Sequence, residues 1–270
     1  MPSRISHLWV ARKAARRWLS PPLADAVLSH GHPYLAMGAQ GPDIFLHNHR
    51  RRPRGILFGA LLHRKGNDRF VADLATSAVL STEPDATDES EFVLSGGSVD
   101  VPTVAYALGW ATHVWLDRIG HPFVNYFAGW RGHPDGEDER RYMHPWLERL
   151  LDVQLLHYNN EPLQEWAFRR ILTSAEDYVD KLLKPISGAL RATLSSANDD
   201  PELEHRVSNA LLDTVGFYYH TDNPAIRHFV RARQRECEGR APARWMALLH
   251  LPTELQTWDV TNREHRTWCH

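Results

Sequence analysis

The chain has 270 residues, a formal net charge of -2 and 43% hydrophobic residues. This length allows one large domain or two small ones, and the charge excludes a strong attraction of the whole surface for nucleic acid or an anionic membrane. The two cysteines, Cys237 and Cys269, provide neither a disulfide framework nor a cysteine metal site, which fits a reducing compartment. The 17 histidines are many for this length and favour metal chemistry.

The most apolar window of the chain, residues 101–116, is shorter than a membrane span and contains His113. The first twenty residues carry basic side chains throughout and lack the continuous apolar segment of a secretory signal. We therefore predict a soluble, cytoplasmic protein without a transmembrane segment. Its oligomeric state has no signature in the sequence.

Hydrophobic periodicity predicts a chain of helices separated by polar loops. In chain order, helices are predicted at 6–19, 23–29, 56–63, 68–80, 102–119 and 141–156, with further helical periodicity from residue 161 onward. Turns are predicted at 31–43, a basic loop at 47–54, and exposed polar loops at 81–100 and 131–140. Because strand alternation is scarce, the predicted fold class is all-α.

The first predicted helix has two interpretations. An apolar stripe that includes Leu8, Ala15 and Trp18 is opposed by four cations between residues 12 and 17. Such a basic amphipathic helix could lie on a membrane. We favour instead a helix that packs on the core and exposes its basic face to water.

The stretch HVWLDRIGH, residues 113–121, is the most informative motif. His113, Asp117 and His121 recur every fourth residue, so a helix places them on neighbouring parts of one face. The surrounding residues are apolar, and burying a carboxylate and two imidazoles is costly unless a partner satisfies them. Histidine and carboxylate are ligands of Zn²⁺, so the motif predicts a metal site.

Four aromatic side chains lie near this motif in the sequence: Trp110, Trp115, Phe123 and Tyr126. They could line an apolar pocket or stack on a base. We predict core packing for each of them.

A second pair of candidate ligands, His144 and Glu148, also shares a helix face. The pair His133 and Glu137 has the same spacing but lies in a segment rich in proline and glycine, where no helix would hold the two together. We therefore prefer His144 and Glu148.

Three more candidates lie upstream of the motif. Asp43 follows two glycines that allow a tight bend, which would aim its carboxylate. His63 ends an apolar run, and His7 lies in the first turn of the first helix. Taken alone, each of these residue types is more often structural than a ligand, for example as a cap or as a partner of the helix dipole.

Five segments in this order resemble the zinc-dependent phospholipase C family, in its non-secreted bacterial branch, which shares a fold with fungal single-strand-specific nucleases. They are SHLW with His7, GAQGPDIF with Asp43, GALLH with His63, YALGWATHVWLDRIGHPFVN with His113, Asp117 and His121, and HPWLERLLD with His144 and Glu148. The resemblance implies a multi-helix bundle with a metal cluster between its helices. Residues 1–157 would form the metal-binding core, and residues 158–270 would add helices packed on it.

The resemblance also implies a role for each ligand. One metal would be held by His63, His113 and Asp117, a second by His121, His144 and Glu148, and a third by Asp117 as a bridge with His7 as a further ligand. Asp43 would be the general base or another ligand near the attacking water. Two or three Zn²⁺ per chain are expected, and the nitrogen and oxygen ligands also admit Mn²⁺ or iron.

The implied activity is that of a metal-dependent phosphodiesterase in which a metal-bound hydroxide attacks phosphorus, with Asp43 and Asp117 as catalytic carboxylates. The expected substrate is a small phosphodiester or a phospholipid. Two alternatives remain open. One is a nuclease of the same fold, with nucleic acid as substrate, and the other is a metal-binding helical scaffold without catalysis.

Overall fold

The computed structural model describes residues 4–80, 91–94, 97–128 and 143–223, and these residues are mostly helical, as predicted. They divide into two compact units. Unit A comprises the described residues of 1–6, 116–169 and 218–223, and unit B comprises those of 7–115 and 170–217. The division of the chain at residue 157 stays a prediction.

The first seven helices are α1 (Arg4–Trp18), α2 (Pro21–Leu28), α3 (His32–Gly38), α4 (Asp43–Leu46), α5 (Ile56–Leu62), α6 (Asn67–Ser77) and α7 (Val101–Phe127). They are followed by α8 (Met143–Tyr158), a 3-10 turn (Leu163–Trp166), α9 (Phe168–Ile171), α10 (Ala175–Thr193), α11 (Ser195–Asn198) and α12 (Leu203–Thr221). No helix in the described ranges has the length and apolarity needed to cross a membrane.

A small antiparallel sheet precedes α7. Its strands are β1 (Val79–Leu80), β2 (Glu91–Leu94) and β3 (Gly97–Asp100), in the order β1-β3-β2. Val99 of β3 pairs with Val79 on one side and with Phe92 on the other. The prediction that 81–100 is entirely loop is therefore wrong at 91–94 and 97–100, because strands this short show too few alternations to be recognised.

The predicted turn segment 31–43 contains α3, so that prediction is also wrong. α3 begins with a proline in its first turn, where the missing N–H costs nothing. The predicted loop 131–140 and the alternative ligands His133 and Glu137 lie outside the described residues.

α7 continues beyond its predicted end at residue 119. At its start, the Asp100 carboxylate accepts a hydrogen bond from the Thr103 N–H at 2.9 Å, which caps the helix. At its other end, the helix passes through Gly120 and Pro122 to Phe127. Burial of Val124 and Ala128 stabilises this last part despite the proline. His121 therefore lies on the same continuous helix as Asp117.

The aromatic residues of α7 have different environments. Trp110 is fully buried in unit B, where its ring lies 4.5 Å from that of Phe70 and its indole N–H donates to Asn67 at 3.0 Å. Core packing is thus confirmed for Trp110. It is wrong for Trp115, Phe123 and Tyr126, which are exposed, because helical spacing alone does not show which face a neighbouring element covers.

In unit A, the start of α1 makes two buried interactions with charged side chains. Arg4, 1% exposed, is ion-paired with Asp222 and faces the Tyr218 ring at 5.1 Å. The buried Asp152 carboxylate of α8 accepts the backbone N–H of Ser6 at 2.8 Å and that of Ile5 at 3.2 Å. An anion is favoured at a helix start, so α8 is held against the first turn of α1.

Asp213 of α12 organises the basic loop in unit B. Its carboxylate accepts the backbone N–H groups of Arg50 at 2.9 Å and Arg51 at 3.0 Å, and a side-chain N–H of Asn48 at 2.9 Å. The Arg51 guanidinium adds an ion pair at 2.7 Å. Burial raises the pKa of Asp213, but these hydrogen bonds outweigh burial and lower it below its usual value.

We expect Asp213→Asn to destabilise unit B by about 1–3 kcal/mol at pH 7, because it removes charge-assisted hydrogen bonds from a buried group. A carboxyl group whose pKa is lowered by folding stabilises the protein at pH values above its unfolded-state pKa of about 4. That contribution is lost as the pH falls through its folded-state pKa. The difference between wild type and variant should therefore shrink below about pH 4. Urea unfolding from pH 7 to pH 2.5 measures it, with the exposed Asp25→Asn as control. A difference that stays constant over this range would contradict the assignment.

Candidate metal centre

Three predicted residues form a triad in unit B. The first triad comprises Asp43, the first residue of α4, His63, the residue after α5, and His113 of α7. One ligand atom from each lies within 4.8 Å of the other two. His63 Nε2 is 3.1 Å from Asp43 Oδ1. Asp43 and His113 are buried, and the His63 side chain is 28% exposed, so the triad reaches solvent at one edge.

Backbone carbonyls orient both imidazoles of the first triad. His63 donates from Nδ1 to the Gly59 carbonyl at 2.8 Å, and His113 donates from Nδ1 to the Ala39 carbonyl at 3.0 Å. With Nδ1 engaged in this way, Nε2 is the atom left for a metal: when protonated, His63 Nε2 donates to Asp43 Oδ1, and when deprotonated it offers its lone pair to a cation. Metal-binding histidines are commonly held in this way, because the second hydrogen bond fixes the tautomer and the ring direction.

Gly41 allows the chain between α3 and α4 to approach His113. Its φ of 53° lies in the left-handed region, which favours glycine. A Cβ at this position would also collide with the His113 ring. The glycine predicted to bend the chain before Asp43 is thus required by both its backbone conformation and the neighbouring ligand. His7 of α1, also in unit B, stacks on His113 with the two ring centroids 4.2 Å apart.

A second triad lies in unit A. It comprises His121 of α7 and His144 and Glu148 of α8, again with ligand atoms within 4.8 Å of one another. Glu148 Oε1 is 3.0 Å from His144 Nε2 and 3.5 Å from His121 Nε2. Asp117 of the same unit extends this group, since its Oδ1 lies 3.3 Å from His121 Nε2. Glu148 is 3% exposed, whereas the His121 side chain is 34% exposed.

The donor atoms of both triads fit a metal ion. Ligands of a tetrahedral zinc lie about 2 Å from the ion and therefore roughly 3.3 Å from one another, which matches the histidine–carboxylate distances in each triad. Asp43 Oδ2 and Glu148 Oε2 are buried and accept no hydrogen bond in the described structure. An unsatisfied buried carboxylate oxygen is costly, and a cation would satisfy it.

The pKa values of the two buried carboxyl groups also favour cation binding. Burial raises the pKa of Asp43, but the hydrogen bond from His63 and nearby positive charge lower it to about 2. Burial likewise raises the pKa of Glu148, and nearby positive charge with hydrogen bonds from His121 and His144 lowers it to about 2. Both groups are therefore ionised at neutral pH, as metal ligands must be.

The described structure thus brings six of the eight predicted ligands into two triads that could hold metal ions, with Asp117 beside the second triad and His7 stacked on a histidine of the first. The sequence patterns did not reveal the Ala39 and Gly59 carbonyls that orient the imidazoles. Any residue type can provide a backbone carbonyl, so the sequence cannot identify such an acceptor directly. The nearby glycines were the only indication that the chain bends close to the ligands.

Comparison of the chain with protein-family models, with curated proteins and with solved structures finds no match in any of the three. The resemblance to zinc-dependent phospholipase C therefore depends on the five sequence motifs alone. It stays a prediction, and so do the particular bundle type and the activity that it implies.

Proposed function

We propose that this protein is a zinc-dependent phosphodiesterase of the phospholipase C-like type, built on that family's helical bundle. The observation that carries the proposal is the composition of the triads: each offers three nitrogen or oxygen ligands and reaches solvent through a partly exposed histidine. Structural zinc sites are closed by four protein ligands, whereas catalytic ones use three and leave a position for water or substrate.

Zinc bound in the triads would activate water and neutralise the charge of a phosphate group. The chain's own part is to fix the ligands before substrate arrives. Carbonyls hold His63 and His113 through Nδ1, and the ligand atoms of His121, His144 and Glu148 already lie within 4.8 Å of one another. A preorganised set of charges needs no rearrangement during the reaction, which is the main source of electrostatic catalysis.

The roles proposed for the two catalytic carboxylates differ. Asp43 shares the first triad with two histidines, so it is suited to bind a cation and to accept a hydrogen bond from an attacking water. Asp117 adjoins the second triad through His121 and would strengthen its negative charge. Both would act by position and charge.

The first experiment is elemental analysis of the purified protein together with hydrolysis of a chromogenic phosphodiester. We expect two or more zinc ions per chain and turnover that falls at least 100-fold in Asp117→Asn. The exposed Asp180→Asn is the matched control and should change neither quantity. Metal without turnover on this substrate or on phospholipids would favour the scaffold, and a folded protein that binds no metal would overturn the proposal.

A further inference from the structure

The C-terminal end of α1, in unit B, exposes basic residues together with an indole ring. Lys13, Arg16, Arg17 and Trp18 are all exposed, Trp18 to 77%. These four residues are here called the α1 patch. The opposite face of the helix packs inward through Leu8, Ala11 and Ala15, which are fully buried. The predicted core-packing face is therefore confirmed at these residues and wrong at Trp18, which lies beyond the covered part of the helix.

Two of the three cations of the α1 patch lie over aromatic rings. Lys13 Nζ lies 5.0 Å from the Trp9 ring and the Arg17 guanidinium 5.6 Å from the Trp18 ring. Within the described part of the chain, no carboxylate lies within 4.0 Å of Lys13, Arg16 or Arg17. The helix itself contains no acidic residue. The patch is therefore a local positive charge on a chain whose net charge is -2.

We propose that the α1 patch binds the surface of an anionic phospholipid bilayer. Tryptophan prefers the boundary between headgroups and acyl chains, where its ring is buried and its N–H stays in contact with water. Lysine and arginine beside it attract anionic headgroups while their apolar stems lie against the membrane. The proposal rests on the proposed function only in taking phospholipid as the substrate.

A single nucleic-acid strand fits the α1 patch less well. Such strands bind in basic grooves where successive bases stack on several open aromatic faces. Here the patch lies at the end of a helix, and Trp9 is only partly exposed, which leaves Trp18 as the one largely exposed indole in the described part of α1. One indole flanked by three cations matches a flat anionic surface more closely than a chain of bases.

The patch is also suitably placed relative to the first triad. His7, near the start of α1, stacks on His113, and eleven residues separate it from Trp18. At about 1.5 Å per helical residue, this separation is roughly 16 Å. A bilayer bound at Trp18 would therefore lie within one lipid length of the histidine pair, and membrane binding would concentrate the substrate near the triad.

The test uses the full chain as purified, and the lipid that remains intact is measured after each incubation so that turnover does not complicate binding. Partition onto phosphatidylcholine vesicles is measured by flotation, with and without phosphatidylserine, for wild type and for Arg16→Gln/Arg17→Gln. The matched control is Arg52→Gln/Arg54→Gln, which removes the same charge from two exposed arginines of the basic loop. We expect binding that requires phosphatidylserine and weakens roughly 25-fold in the α1 double variant, since each cation contributes about fivefold. The control should stay within about twofold of wild type.

Trp18→Ser leaves the charge unchanged and should also weaken binding severalfold, which separates insertion of the ring from attraction of charge. The proposal is overturned if wild type ignores phosphatidylserine, if both double variants lose binding equally, or if Arg16 and Arg17 instead bind a single-stranded oligonucleotide while vesicles stay unbound. Vesicle binding without hydrolysis in zinc would leave the patch intact and count against the phosphodiesterase. Hydrolysis of a soluble phosphodiester without vesicle binding would do the reverse.

Discussion

Glu148→Gln is expected to abolish zinc binding at the second triad. The Glu148 carboxylate is buried, accepts from His121 and His144, and has one oxygen without a hydrogen bond in the described structure. A neutral amide keeps the shape of the side chain but removes the charge that offsets a divalent cation. We expect the zinc content to fall by about one ion per chain and the affinity of this triad to fall at least 100-fold, since changes even beyond the direct ligands cost about 10–100-fold.

Isothermal titration of the metal-free protein with zinc, supported by elemental analysis, measures this loss. Glu204→Gln is the matched control, because Glu204 is exposed and forms only a surface ion pair of 3.4 Å with Arg191. It should bind zinc as wild type does. Circular dichroism must show that Glu148→Gln remains helical. Full zinc content in a folded Glu148→Gln protein would show that this triad is not a metal site.

Side chains that repeat at helical spacing were the most predictable part of this site. His113, Asp117 and His121 are spaced four residues apart, so a helix alone is enough to bring them to one face. The same holds for His144 and Glu148. α7 and α8 do form, so local pattern and position agree there. The pairing of His63 with Asp43 was not predicted: the resemblance grouped His63 with His113 and Asp117 and placed Asp43 only near the attacking water. Residues on different helices have no shared period that could have revealed the pair.

Long-range and backbone features explain what the sequence did not predict. β1 pairs with β3 across about twenty residues, and neither strand is long enough to show alternation. α7 continues through Pro122 because burial of Val124 compensates for a local penalty. The exposure of Trp115, Phe123 and Tyr126 depends on which helix faces are covered, and the period of a helix carries no information about its neighbours.

Gly109→Ala is expected to cost about 3 kcal/mol of unfolding free energy, because α3 and α7 approach each other through glycine in unit B. A Cβ at residue 109 would lie 2.5 Å from the Leu35 carbonyl oxygen and 2.6 Å from the Ala39 backbone nitrogen. Both are backbone atoms, so no side-chain rotation relieves the collision. At about 2–4 °C per kcal/mol, thermal unfolding should begin roughly 6–12 °C lower.

The same substitution should also weaken the first triad, because the displaced segment includes Ala39, whose carbonyl orients His113. Loss of such an orienting bond is expected to reduce zinc affinity by about 10–100-fold. Gly188→Ala is the control, since Gly188 lies exposed inside α10 and a Cβ added there would meet nothing within 4 Å. There alanine should raise stability by about 0.5–1 kcal/mol, because glycine loses more backbone freedom on folding. If the glycine contact supports the metal site, the two variants change the unfolding free energy in opposite directions, and only Gly109→Ala changes the zinc affinity. Equal effects of the two variants would rule this role out.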